Sequence, residues 1–358
     1  MLPAKALHLE LHQSLIARLI KAALVILTMT LAASGAWLGA REKGPGEARG
    51  ALLEKTRQRR SLKSRNHAPA RTFLRESKNN SEMSGPTSRE DRRAAVPAPF
   101  YKALDRALKK RKMRLAEICP PGDRVARRVL EDYGALFVAR GKVLPPPACI
   151  FTSEEEVREF QERAGIASAV IGYDEIELQP EAMEQLLKAR EQANREGFDI
   201  TPRGGTEAAR RNYGDTLRLW DTRFLPALDY WSRQGRLSSE QVSRLRQLPL
   251  REQVAEVLEL EQNGIFFSKD FSKSILYSIA APGSSQHISM LALDVTEFDN
   301  PRVREILAEH GWFQTVLSDL PHFTYLGHKE KELPKQGLRP VIYGSQLFWI
   351  PNIEGNDN

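Results

Sequence analysis

Cysteine and histidine are scarce in this chain of 358 residues: two of the first and seven of the second. Cys119 and Cys149 are too few for a zinc-finger reading. In an oxidising compartment they can pair and close a loop of about 30 residues; two buried free thiols are the alternative. Absent too are a Gly-x-Ser-x-Gly elbow, a phosphate-binding loop and a dinucleotide-type glycine cluster. A serine or cysteine peptidase therefore has no support. No internal repeat is visible.

Positive charge is abundant but misplaced for a nucleic-acid binder. The formal net charge is +7. Residues 41–95 hold 15 Lys/Arg against 7 Asp/Glu, residues 1–40 add about +2, and the remainder is near −3. A nucleic-acid-binding domain carries its charge on its own folded surface, so no nucleic-acid partner is expected.

Long uncharged runs are also rare. The one at Ala22–Ala40, AALVILTMTLAASGAWLGA, comes after Arg18 and Lys21. A basic start, an apolar core and a small-residue end describe a secretory signal peptide. Nineteen uncharged residues can also just span a bilayer. Either reading exports the chain beyond residue 40 to the periplasm or cell envelope, with inner-membrane attachment through residues 22–40 under the second. A buried helix of a cytosolic protein is the alternative. Residues 41–95 are nearly free of aromatics and dominated by polar and charged groups, so they read as a disordered basic tether.

Folding is expected from about residue 96. Residues 100–112 and 122–140 have helical spacing, and Thr152 to Glu156 opens another helix with a hydroxyl cap and early acids. Residues 96–177 thus read as a helical lead-in. A long helix is expected from Gln179-Pro180-Glu181 through Gly197, with Met183, Leu186, Leu187 and Ala193 on its apolar stripe. FDITPRGG (198–205) reads as a short strand and turn. Residues 207–235 and 238–263 are helical again, with Trp220 and Trp231 as core residues. From Gly264 the pattern changes to short β-branched and aromatic stretches: HISMLALDVTEF, WFQTVL, HFTYLG and VIYGSQLFWI. PRVREILAEHG (301–311) stands among them as a helix with Pro at its start and Gly at its stop. Helices succeeded by clustered strands predict an α+β fold whose small sheet is mostly antiparallel.

Two of the few histidines lie beside acids in these apolar stretches: GSSQHISMLALD (283–294) and SDLPHF (318–323). A catalytic zinc site takes three protein ligands and leaves a fourth position for water, and a nearby carboxylate then accepts the water proton. His287, Asp294 and His322 are ligands of that kind, and Asp319 is placed to be the base. Residues seven apart share a helix face but lie on opposite faces of a straight strand, so His287 and Asp294 need a bend between them. The plainer reading is four buried, hydrogen-bonded core groups.

The wording of these stretches goes further. SIAAPGSSQHISMLALDV resembles the first zinc motif of the VanY-type D-alanyl-D-alanine carboxypeptidases, the LAS peptidases grouped with lysostaphin and the hedgehog signalling domain. That pattern is Ser-x-His-x-x-Gly-x-Ala-x-Asp after Pro-Gly, matched by Pro282, Gly283, Ser285, His287, Ala292 and Asp294. The second motif, Glu-x-x-His with aromatics after it, is similar to Asp319 through Gly327, with Gly311-Trp312-Phe313 ahead of it. The resemblance spans residues 178–327 and marks 178–358 as the peptidase-like domain. It implies a zinc ion on His287, Asp294 and His322, Asp319 as base, Ser285 as a hydrogen-bonding group, and Arg203 as the arginine that reads the substrate's carboxylate, with Arg210 and Arg211 behind it. Peptidoglycan stem peptides would be the substrate, cut by a carboxypeptidase, or by an endopeptidase on the same scaffold. A non-catalytic zinc-stabilised binding module is the rival. Two positions depart from the pattern. Met290 replaces a glycine, which would narrow the cleft or alter the bend, and Asp319 replaces a glutamate, about 1 Å shorter in reach.

Overall fold

A computed structural model describes residues 98–317 and 319–354. The expected leader over 1–40 and tether over 41–95 lie outside the described residues. Among the described residues no helix is long and apolar enough to cross a membrane.

The chain opens with α1 (Pro99–Lys110), a single-turn α2 (Leu115–Ile118) and α3 (Arg124–Tyr133), which Asp123 caps by accepting from Ala126 N at 2.9 Å. The helical pattern expected through residue 140 ends earlier. At Gly134 the backbone tightens into a 3-10 segment, Gly134–Val138. Ser153 starts α4 (Glu154–Ala164), as its hydroxyl and the three glutamates after it foretell. Next comes a hairpin that the helical pattern of the lead-in concealed: β1 (Ala167–Ile171) and β2 (Asp174–Leu178), joined by Gly172-Tyr173 with Gly172 at φ +66°. Two-residue hairpin turns favour such glycines.

Pro180 begins α5 (Pro180–Arg195). Its buried stripe is Ala182, Met183, Leu186, Ala189 and Ala193, while Leu187 turns outward. Then come α6 (Tyr213–Arg233), α7 (Ser239–Gln247) and α8 (Leu250–Gln262). The one helix expected over 238–263 is two, because Pro249 lacks the N–H that a continuing helix requires. The segment expected as a strand at 198–205 makes only one isolated bridge, Pro202 with Val295.

The C-terminal part is β3 (Ala292–Asp294), α9 (Pro301–Glu309), β4 (Trp312–Phe313), β5 (His322–Tyr325), β6 (Leu338–Tyr343) and β7 (Gln346–Pro351). Strands β3, β5 and β4 form a three-stranded antiparallel sheet with β5 in the middle, and β6–β7 is a separate hairpin. The fold is α+β, with small antiparallel sheets flanked by helices.

Two large hydrophobic clusters organise these elements, and a small third one packs Val157 and Phe160 of α4 with Phe151 and Ile288. Of the large two, one joins Phe100 and Leu104 of α1 to the β1–β2 hairpin, α5 and the central sheet. The other joins Trp220 and Phe224 of α6 to Val254 and Val257 of α8. Helix α3 serves both: Ala126 and Leu130 face the first, and Val125, Val129 and Tyr133 the second. Trp231, the other tryptophan expected inside, packs on the second cluster and donates from Nε1 to Phe266 O at 2.7 Å.

Cys119 and Cys149 are joined in a disulfide, with Cα atoms 5.4 Å apart across a separation of 30 residues. A loop of that length is worth about 3–4 kcal/mol through the unfolded chain's lost entropy. The Cys119→Ala/Cys149→Ala double variant should lose about that much in urea denaturation. A loss under about 1 kcal/mol would show that the crosslink constrains little.

Candidate metal centre

The register of the central sheet does the first part of the assembly. Asp294 ends β3 directly opposite His322, which starts β5. Residues paired across strands project to the same face, so the sequence distance of 28 collapses to a hydrogen-bond distance. The His322 Nδ1 lies 3.2 Å from Asp294 Oδ1.

His287 reaches the pair by leaving strand geometry altogether. It sits in a 3-10 turn, Gln286–Ser289, and Met290 then takes φ +56° and ψ 28° before β3 begins. This left-handed residue is the bend that the His287–Asp294 spacing demanded. A glycine adopts it freely and other residues at a cost of about 1–2 kcal/mol. Met290 is fully buried and is not among the residues lining the cleft beside the metal group, so it keeps the bend without narrowing that cleft. Replacing it separates the two effects. In ordinary backbone glycine is worse than alanine by about 0.5–1 kcal/mol. Here Met290→Gly should match or exceed Met290→Ala in denaturant midpoint, while both lose about 2–5 kcal/mol to the vacated core volume. A glycine variant clearly weaker than alanine would refute the left-handed strain.

The turn ahead of His287 is held by a close approach. Gly283, at φ +75°, donates its N–H to Thr216 Oγ1, and its carbonyl accepts from Phe151 N at 2.9 Å. A Cβ there would fall 2.0 Å from the Phe151 carbonyl oxygen. The glycine at position 283 is therefore a packing requirement.

Together these devices place three donor atoms in a tight triangle. His287 Nε2 lies 3.1 Å from His322 Nδ1 and 3.4 Å from Asp294 Oδ1, which closes on the 3.2 Å edge between His322 and Asp294. Both imidazoles are buried, and the group can hold a metal ion. Burial, with the Arg211 charge nearby, pushes the His287 imidazole down to about 4, so it is a neutral donor at ordinary pH. Burial by itself would raise the Asp294 carboxyl, but the two histidines hold it well below the usual carboxylate range. It is ionised and acceptor-only, as a ligand must be. His287 Nδ1 is buried with no hydrogen-bond partner among the described residues.

Arg211 grips the far side of this carboxylate, Nη2 to Oδ2 at 3.1 Å, with both side chains about 15% exposed. Its Nε donates to the Glu207 carbonyl and its backbone N–H to the His287 carbonyl. Arg210, by contrast, is engaged with Glu177 and Gln161. Arg203, expected to read the substrate, is not among the cleft-lining residues. Its guanidinium lies over the Phe298 ring at 5.5 Å, and only its backbone N–H comes to the site, bonding the Asp294 carbonyl at 2.8 Å. The signal available for Arg211 in sequence is its place behind Arg203 in the same turn; which arginine faces inward depends on the path of residues 205–212.

A cleft of about 50 Å³ opens beside the metal group, roughly the room of one or two waters. His287, His322, Asp319, Arg211 and Ser285 all line it, with Tyr133, Tyr277 and Gln286. Asp319 remains exposed as a residue. The protein crowding its carboxyl nonetheless raises it above the usual value, partly countered by His322 and Arg211. Its carbonyl accepts from His322 N at 3.2 Å, so Asp319 and His322 close one turn. The Ser285 hydroxyl makes no hydrogen bond to a ligand among the described residues. Tyr277 also walls a larger cavity of about 530 Å³ between α3 and α8.

No protein-family model matches the chain, and no curated protein matches its sequence. What the site does must be argued from its geometry.

Proposed function

We propose that the protein is a zinc-dependent hydrolase of cell-wall peptides, acting first as a carboxypeptidase on stems that end in D-alanyl-D-alanine. The observation that carries this reading is the triangle of donors. Four ligands at about 2.0–2.1 Å around a tetrahedral zinc stand about 3.3–3.4 Å from one another. The three edges of 3.1, 3.2 and 3.4 Å nearly match that spacing. Two neutral nitrogens and one carboxylate are the donor set of catalytic rather than closed structural zinc sites, which favour thiolates.

When bound, zinc supplies a Lewis acid for the scissile carbonyl and lowers the pKa of a coordinated water toward about 7. The chain's own residues do the rest. Asp319, at the wall of the cleft, takes the proton from the attacking water and returns it to the leaving amine. Its raised carboxyl suits both duties, because a general base works best with a pKa nearer the operating pH. Arg211 keeps Asp294 oriented and puts positive charge on the cleft, where a substrate carboxylate or carbonyl oxygen would settle. Ser285 offers a hydroxyl to the same space. The larger cavity beyond Tyr277 would receive the rest of the peptide.

One observation favours an endopeptidase as the second reading. The cleft's arginine is already committed to Asp294, and Arg203 stands outside it, so no arginine is reserved for a terminal carboxylate. Export to the periplasm or cell envelope fits the disulfide, since such bonds persist in oxidising compartments.

Digestion of wall fragments with and without chelator tests the reading. Loss of a terminal alanine by mass identifies a carboxypeptidase, and cleavage of cross-linked dimers an endopeptidase. If zinc-loaded protein cuts neither, the peptidase reading fails and a binding module remains. Arg211→Lys should impair turnover where Arg203→Ala leaves it within a few-fold; the reverse order would return the substrate to Arg203.

A further inference from the structure

Between Ser285 and His287 stands a residue with no part in the metal motif. Gln286 is 2% exposed, and a buried amide must satisfy both its ends. Its Nε2 lies 2.7 Å from the Tyr133 carbonyl oxygen and 3.4 Å from Thr315 Oγ1. A backbone carbonyl only accepts, so this end of the amide is the NH2. The other end, Oε1, is then an acceptor. It lies 2.5 Å from Thr324 Oγ1 and 2.9 Å from His322 Nε2. Thr324 and Thr315 share a further hydrogen bond of 2.6 Å.

With a metal ion shared by Asp294 and His322, the chain of donors leaves one arrangement at His322. An acceptor facing Nε2 requires the hydrogen to be on Nε2. A ligating imidazole is neutral and has a single N–H, so Nδ1 is a bare lone pair. Nδ1 is the atom that meets His287 Nε2 and Asp294 Oδ1. We propose that Gln286, oriented by the Tyr133 carbonyl, is a positioning residue that locks His322 in the Nε2–H form and presents Nδ1 to the metal. Tyr133 ends α3, outside the stretch that carries the metal motifs, and its phenol is pinned to the Leu276 carbonyl. The N-terminal helices thereby reach a metal-ligand candidate through one backbone carbonyl. The proposal rests on the His-Asp-His group being a metal site and is independent of which bond, if any, is cut.

Long-range proton–nitrogen correlation on the zinc-loaded, nitrogen-15-labelled full chain reads the form of His322 directly. Nε2–H is expected; a predominance of Nδ1–H overturns the proposal without any variant. Zinc titration against a chromophoric chelator supplies the second readout. Gln286→Leu should raise the zinc dissociation constant by about 10–100-fold, the usual worth of a group that orients a ligand, and should give a mixture of the two imidazole forms. Gln286→Glu retains an acceptor for Nε2–H but loses the N–H that bonds the Tyr133 carbonyl, so it should restore the Nε2–H form with only part of the affinity. A folded leucine variant with unchanged affinity overturns the proposal. Zinc uptake by wild type together with an Nδ1–H His322 sinks this proposal alone, whereas no zinc uptake by wild type sinks the metal reading and this proposal with it.

Discussion

His322→Ala should bind zinc about 10²–10³-fold more weakly than wild type. Structural zinc sites gain about 10–16 kcal/mol from four ligands in all; on that scale one donor is worth roughly 3 kcal/mol, and each 1.4 kcal/mol is about a factor of ten. Asp294→Ala should match that loss and add a second one. It strands the largely buried Arg211 guanidinium, whose Nη2 bonds Asp294 Oδ2 at 3.1 Å. Breaking a buried ion pair from one side costs about 3–5 kcal/mol. Metal-free Asp294→Ala should therefore denature at clearly lower urea than metal-free His322→Ala, whose neighbour Gln286 keeps Thr324 as a donor. Competition with a chromophoric chelator measures the first effect and denaturation in chelator the second. Undiminished zinc affinity in either variant would show that the three side chains do not share an ion.

The other large effect belongs to Asp319. Asparagine preserves the shape of the carboxyl but cannot take a proton. Asp319→Asn should lower turnover by about 10²–10⁴-fold, the range for a positioned acid–base group, with zinc affinity and stability nearly unchanged. The near-constancy matters as much as the fall, because among the described residues no hydrogen bond joins the Asp319 side chain to the three donor atoms, and it stands at the cleft wall. Asp319→Glu tests the shorter arm by itself. Met290 needs no companion change, since it does not line the cleft. An unaffected turnover in Asp319→Asn would place the base elsewhere.

Several helices are legible in sequence because their signals are local. Ser153 with the glutamates behind it, and Pro180 and Pro301 at first turns, each act within one turn. Where the local signal is ambiguous, sequence and structure part. Residues 167–177 read as part of the helical lead-in, yet Ala167 to Leu178 pair as a hairpin around Gly172. In 238–263 the helical periodicity masks Pro249, which divides α7 from α8. Leu187 fits the spacing of Met183, but the face of α5 that meets the core is centred on Ala182, Leu186 and Ala189.

By itself the sequence determined which groups are chemically able to hold a metal: two histidines and an aspartate among apolar neighbours, with a second aspartate three residues from the last. It also demanded a bend between His287 and Asp294, because a straight strand would have sent them to opposite faces. Only the tertiary structure decided how that demand is met. Met290 turns the chain through the left-handed region, and the β3–β5 register sets Asp294 opposite His322. That the Arg211 guanidinium, and not that of Arg203, meets the Asp294 carboxylate, and the line from Tyr133 through Gln286 to His322, likewise arise only in three dimensions. These contacts join residues 83, 153 and 36 positions apart. A side chain's composition and spacing state what it can bond, but which partner it meets depends on packing between distant elements.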